Sequence, residues 1–361
     1  MKRALILSCF VLVFGCARSP LSLDREARPG RGLAQTFVRN NVAQSTLATD
    51  GSSLFFGTRT GDLFSIDADT GKKHWRVKLK SPIDVAPCIQ NGAVYVGTAS
   101  GGFYGLDAKD GRQKWTYEVP GEILNQAVVL GSKYVVFASN DGVLYALDTN
   151  SGRPVWTYRR GLPDRLTIHS LAAPSADATA VYAGFSDGAV VALRDSDGTE
   201  IWKQELRSPV KFPDVVAPLL SMDQQLIAAQ FSGALYALDR TGKIRWSLEN
   251  GGGAASTVAV GDKLIIPASE HRLIGLSSST GEKIWTYQTP EAVLWSGLAV
   301  FGDKLLAGSY EGWLFVLRAS DGTYLWKYDV GGAVMGAPVI HGNRAWVLTR
   351  KGALLGFSLR G

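Results

Sequence analysis

One phrase recurs through this 361-residue chain and limits what it can become. An apolar strand runs into a polar turn, the turn ends in glycine, and a tryptophan stands four positions later. The pairs are Gly71–Trp75, Gly111–Trp115, Gly152–Trp156, Gly198–Trp202, Gly242–Trp246, Gly281–Trp285 and Gly322–Trp326. Successive tryptophans lie 40, 41, 46, 44, 39 and 41 residues apart. A unit of this size cannot bury its apolar face alone, so the units must stack on one another. Seven separate catalytic centres on one chain are not credible, and the phrase is therefore a building block.

Each unit divides into four strands. In the second unit these are DVAPCI, AVYVGT, GFYGLD and QKWTYEV, rich in β-branched and aromatic residues and punctuated by glycine or asparagine. The turn QNG suits a tight hairpin. In the turn DAKDG, Asp107 can bond turn amides and Gly111 can adopt a left-handed conformation. Trp115 and Tyr117 then share one face of the last strand, set to meet a neighbouring unit. The third-strand segment recurs eight times, from LFSID through FYGLD, LYALD, VVALR, LYALD, LIGLS and LFVLR to LLGFS. The eighth unit stops before its fourth strand, and the strand-like AQTFVRN at 34–40 is placed to supply it. Four short strands per unit at this period make an all-β, eight-bladed β-propeller of four-stranded antiparallel blades, closed by an N-terminal strand. Its expected extent is 34–361.

The first 33 residues read differently. MKR precedes the apolar run ALILSCFVLVFG, which is too short to span a bilayer and has the shape of a signal peptide over 1–15. VFGC then resembles a lipobox, with Cys16 as the lipidated first residue of the mature chain. Ala17 in place of an aspartate favours the outer membrane, and several acyl chains together anchor stably. Residues 16–33, mixing Arg, Pro, Gly and Ser, read as a tether. Of the three cysteines, Cys9 falls in the leader and Cys16 carries lipid. Only Cys88 remains, as a small core residue. The formal charge of +6, or +4 without Lys2 and Arg3, comes from dispersed Lys and Arg. Phosphate tracking needs clustered charge, so no nucleic-acid partner is expected.

A tryptophan followed by Arg, Thr, Thr, Lys, Ser, Thr and Lys does not fit WD40 units. The ALD…TG(K/R)…W consensus instead resembles the PQQ-like repeat over roughly residues 42–361. Eight such blades behind a lipobox resemble the BamB family of outer-membrane assembly lipoproteins. That resemblance implies a non-enzymatic periplasmic scaffold that binds the POTRA domains of BamA, joins the other members of the BAM complex and helps unfolded outer-membrane proteins reach it. A repeat type does not transfer an activity. The alternatives are a periplasmic PQQ-dependent dehydrogenase-like enzyme and a lipid-anchored propeller for another envelope partner.

No catalytic constellation stands out. Quinoprotein dehydrogenases use a vicinal cysteine pair, which this sequence lacks. His74, His169, His271 and His341 fall in four different units without metal-ligand spacing. Asp67, Asp107, Asp148 and Asp239 recur at one turn position. No cofactor or metal is expected. The irregularity that remains is the longest interval, whose extra residues fall in 158–174. There Arg159, Arg160 and Arg165 stand near Leu162, Leu166, Ile168 and Leu171, a mixture that suits a protein interface. The family resemblance implies a BamA-contacting Leu-x-Leu-Arg loop, matched here by Leu166 to His169. Leu166 and Ile168 keep the apolar spacing, and His169 stands at the arginine position with Arg165 beside it. It also implies a companion acidic segment, of which Asp214 is the acidic residue present. Addition of client strands to a blade edge ranks below a purely orienting role.

Overall fold

A computed structural model describes residues 30–36, 45–160, 172–206, 213–222, 224–231, 233–252 and 256–359. These residues form eight four-stranded antiparallel sheets. In blade 2 the strands, A to D from the channel outward, are Cys88–Gln90, Ala93–Gly97, Gly102–Asp107 and Gln113–Glu118. Asn91 and Gly92 join A to B with φ of 52° and 72°, the left-handed pair that a two-residue hairpin needs. Only the end of DVAPCI pairs as strand. Val85 and Ala86 instead line the central channel.

The core is not central. It is divided into eight apolar clusters, and each lies between two adjacent blades. Tyr95, Phe103 and Trp115 of blade 2, for example, pack on Val135, Phe137 and Tyr145 of blade 3. Each blade is too thin to own a core, so its two faces are buried by its two neighbours.

The repeated phrase is the coupling between blades. Trp115 Nε1 donates to the Thr149 carbonyl of the next blade at 2.9 Å, and its indole lies against Gly152. Trp75, Trp156, Trp202, Trp246 and Trp285 make the corresponding bonds to Ala108, Asp195, Arg240, Ser278 and Ala319. Gly152 is thus required twice over, by φ of 68° and by an indole that leaves no room for a Cβ. Asp107 holds the equivalent turn of blade 2, its carboxylate accepting the Lys109 amide at 2.9 Å.

Blade 8 consists of Val339–His341, Arg344–Leu348 and Ala353–Ser358, with Gly30–Thr36 as its outer strand. The closing strand therefore begins four residues before the expected AQTFVRN, inside the segment read as tether. Register explains the shift. In blade 2 the D strand bulges at Lys114, between Trp115 opposite Gly105 and Gln113 opposite Leu106. The closing strand repeats this with Gly32, between Leu33 opposite Gly356 and Arg31 opposite Phe357. An outer strand tolerates glycine at such a bulge. Residues 37–40 of the expected strand lie outside the described residues.

Candidate partner interface

In a four-stranded meander successive turns alternate between ends. All A–B and C–D turns therefore lie on one side of the disc, the turn face. The B–C turns lie on the other, the loop face, where the D–A connections between blades begin and end.

A repeated anchor shapes the loop face. Ile83, Ile123, Val215 and Val334 each sit on a glycine of the preceding B strand, where a Cβ could not fit. Each also donates its amide to that blade's B–C turn, as Ile123 does to Thr98 at 3.2 Å. The residue before the anchor accepts an amide from the next blade's B–C turn. Asn140 donates to Glu122 at 2.8 Å and Phe231 to Asp214 at 2.8 Å, while in blade 7 Tyr310 donates one position further on, to Leu294 at 2.9 Å. Both sides of each connection are thus tied, and some large apolar side chains are held outward. Leu124 is 37% exposed, Phe231 42%, Leu294 63% and Tyr310 47%. The other exposed large apolar residues among the described ones, Val155, Ile201 and Ile284, lie on outer strands at the rim.

Leu124 and Tyr310 of this set line the central channel. Its volume is about 460 Å³, and every blade contributes to its wall, including Thr46, Val85, Gln126, Ser256, Ser296 and Gly336. Asp84 also lines it, and burial raises its carboxyl above the usual range despite Arg59 at 3.9 Å. Among the described residues no group of three His, Cys, Asp or Glu side chains could hold a metal ion. Burial pushes the Cys88 thiol up to about 11, so it is not a poised nucleophile.

The candidate residues Arg165, Leu166, Ile168 and His169 lie in 161–171, outside the described residues, as does Cys16. The strands on either side place the two ends of that segment. It joins blade 3 to blade 4, so it leaves from and returns to the loop face. The segment 207–212, which joins blades 4 and 5, has its ends on the same face. Two of the expected contact arginines are engaged within the protein. Arg159 pairs with Asp141 at 3.5 Å, and Arg160 Nε donates to Asp187 at 2.5 Å. Asp214 is 0% exposed, beneath the Phe231 turn, and so offers a partner no surface in this arrangement. Phe231 is displayed there instead. Neither it nor Tyr310 was singled out from sequence. Aligning the B–C turns would have shown both, because the first turn residue is otherwise Arg59, Ala99, Asn140, Ser186, Ser269 or Arg350.

Comparison with known proteins adds the family. The family model described as outer membrane protein assembly factor BamB matches residues 26–136, 119–287 and 288–361. The outer membrane protein assembly factor BamB of Burkholderia pseudomallei is 29% identical over 335 residues, covering 86% of this chain and 83% of that protein. The Yersinia pestis protein of the same name is 27% identical, covering 66% of this chain and 65% of that protein. Among solved structures, BamB from Moraxella catarrhalis superposes with a TM-score of 0.81 at 21% identity, over 91% of this chain and 99% of that one. Quinohemoprotein alcohol dehydrogenase from Comamonas testosteroni reaches 0.75 at 13% identity, over 93% and 77%. Likenesses at these identities carry the fold alone.

Proposed function

The chain belongs to the BamB family of outer membrane protein assembly factors, and from that membership we propose that it is a scaffold subunit of the β-barrel assembly machinery. In this reading lipid on Cys16 holds it at the periplasmic side of the outer membrane, and it performs no chemistry of its own. Its loop face binds the POTRA domains of BamA. The rigid ring then orients the partner while unfolded outer-membrane proteins are received. One observation carries the choice of face: the displayed Leu124, Phe231, Leu294 and Tyr310 share it with the ends of 161–171 and 207–212. Exposed apolar anchors among polar groups are what a desolvated interface centre uses. Within 161–171 the proposed contacts are Arg165, Leu166, Ile168 and His169. Asp214 stays in the proposal as support for the Phe231 turn rather than as a contact.

The test is isolation of the tagged chain from cross-linked outer membranes, followed by identification of what accompanies it. Wild type is compared with Leu166→Glu/Ile168→Glu and with Phe231→Glu/Tyr310→Glu, each first shown to be folded. BamA accompanies wild type in this proposal, and each variant recovers it about thirtyfold less, the effect of one lost hot spot of about 2 kcal/mol. Recovery of BamA with every variant rejects the loop face. Its absence from folded, membrane-bound wild type rejects the scaffold reading.

A further inference from the structure

The side of the disc from which the N-terminal segment departs is set by strand pairing. Gly30 pairs with Ser358, and Thr36 pairs with Ala353. Ser358 ends the C strand of blade 8, at the edge where the other blades make their C–D turns. Ala353 follows the B–C turn that Gly352 closes by donating to Thr349 at 2.8 Å. The closing strand therefore enters on the turn face and runs toward the loop face. Whatever precedes Gly30 starts from the turn face, at blade 8.

We infer that the turn face is the membrane-proximal face of the anchored protein and that the loop face points away, into the periplasm. This rests on the reading of Cys16 as the lipidated residue. Gly30 follows Cys16 by fourteen positions. A coil of that length spans about 20 Å, and fully drawn out it reaches about 50 Å. Turning the disc over would send the segment along the rim past a six-residue strand, ~20 Å, and past the loops beyond it. Most of its slack would be consumed, at a cost in chain entropy that the opposite orientation avoids. The two faces also differ in the direction this requires. The displayed Leu124, Phe231, Leu294 and Tyr310 are on the far side from the anchor, where a folded periplasmic domain has free approach. The near side carries short turns whose carboxylates are occupied, as Asp67 is by Thr70 and Asp239 by Thr241. Anchor and partner thus hold opposite faces, and the disc acts as a spacer between membrane and POTRA domain.

The test uses the full chain on vesicles that contain a quencher on the lipid headgroup. A ketone-bearing amino acid takes the fluorophore at one of three exposed positions: Asn343 or Ser196 on the turn face, or Lys351 on the loop face. Asn343 and Ser196, on blades 8 and 4, are expected to be quenched about threefold more than Lys351, which sits ~20 Å away across the blade. Equal quenching at all three sites, or stronger quenching at Lys351, overturns the orientation. The mass of the N-terminal peptide reports lipidation separately. If it is unmodified, the anchor reading fails, and the geometry is then read on chain coupled at Cys16 to a maleimide lipid. The buried Cys88 thiol, raised to about 11, is a poor competitor in that coupling.

Discussion

Six glycines of the repeated phrase, from Gly111 to Gly322, each receive an indole from the preceding blade, while the tryptophan four residues later reaches toward the next. The contact can be separated from the backbone effect by comparing two glycines. Gly152 has φ of 68° and lies under Trp115, whereas Gly131 has φ of 56° and open space where its Cβ would be. Gly131→Ala should cost about 1 kcal/mol, the price of a side chain in left-handed backbone. Gly152→Ala should cost about 2 kcal/mol more, because the indole must move. Urea unfolding of both variants gives the difference, and equal losses would remove the indole contact from the account. The carboxylates of this fold also act in opposite directions. Asp107 is held below its usual range by the Lys109 amide and the Lys114 ammonium. Asp321 is lowered to about 2 by the Thr323 hydroxyl and amide with Arg318. Such groups contribute stability that is present above about pH 4 and lost as pH falls through their folded values. Asp84 is raised, so the fold favours its neutral form, and that contribution is lost as pH rises. Asp107→Asn is therefore expected to lower the melting temperature at pH 7, and Asp84→Asn to raise it. Both differences should shrink toward pH 3, and melting curves at the two pH values check the signs.

At the scale of the strand, the tryptophan meets its target because the residue before it is a bulge. His74, Lys114, Val155, Ile201, Arg245, Ile284 and Leu325 all occupy this unpaired position. The bulge turns the indole onto the C strand and leaves its own side chain at the rim. Ile201 is 51% exposed, so Ile201→Lys should change stability by less than about 0.5 kcal/mol. Deleting residue 201 should cost about 3 kcal/mol, the low end of the range for a lost tryptophan because Trp202 is half-buried, since the shifted register points the indole away. A mild deletion, read by unfolding, would mean that the bulge is incidental. Sequence reading reached the blades because period, turn chemistry and strand pattern agree in every unit. It did not reach the anchors. Ile83 and Val215 look like ordinary apolar residues, and only the facing Gly57 and Gly184 give them a role. Asp214 rests on the family resemblance, and its burial beneath the neighbouring turn is visible only once the ring is folded. Phe231 and Tyr310 are departures from a repeat, visible only when the turns are aligned rather than counted.

Across the whole ring, the junction of blade 8 with blade 1 is built differently from the six that pair a tryptophan with a glycine of the repeated phrase. The D strand of blade 8 has no tryptophan, and Trp346 from its B strand takes the vacant place. It lies on Gly356 as Trp115 lies on Gly105, and it donates to the Ala68 carbonyl of blade 1 at 3.0 Å. Gly342 stands four positions before it, but that glycine belongs to an A–B turn, so the familiar spacing marks a different strand. His341 approaches Asp69 at 3.3 Å, and Arg344 donates to the Asp69 carbonyl across the same seam. Two devices therefore close the ring, an indole and a strand, and they fail differently. Trp346→Ala removes packing inside the seam and should cost about 3–5 kcal/mol without exposing any edge. A chain that starts at Ser45 keeps Trp346 but leaves the C strand of blade 8 unpaired, an open template for another chain. That shortened chain should form oligomers on gel filtration, and a peptide of residues 30–36 should return it to the elution volume of the full chain. A monomeric shortened chain would mean that Trp346 alone closes the ring. The N-terminal strand would then serve chiefly to fix where the preceding segment leaves the disc.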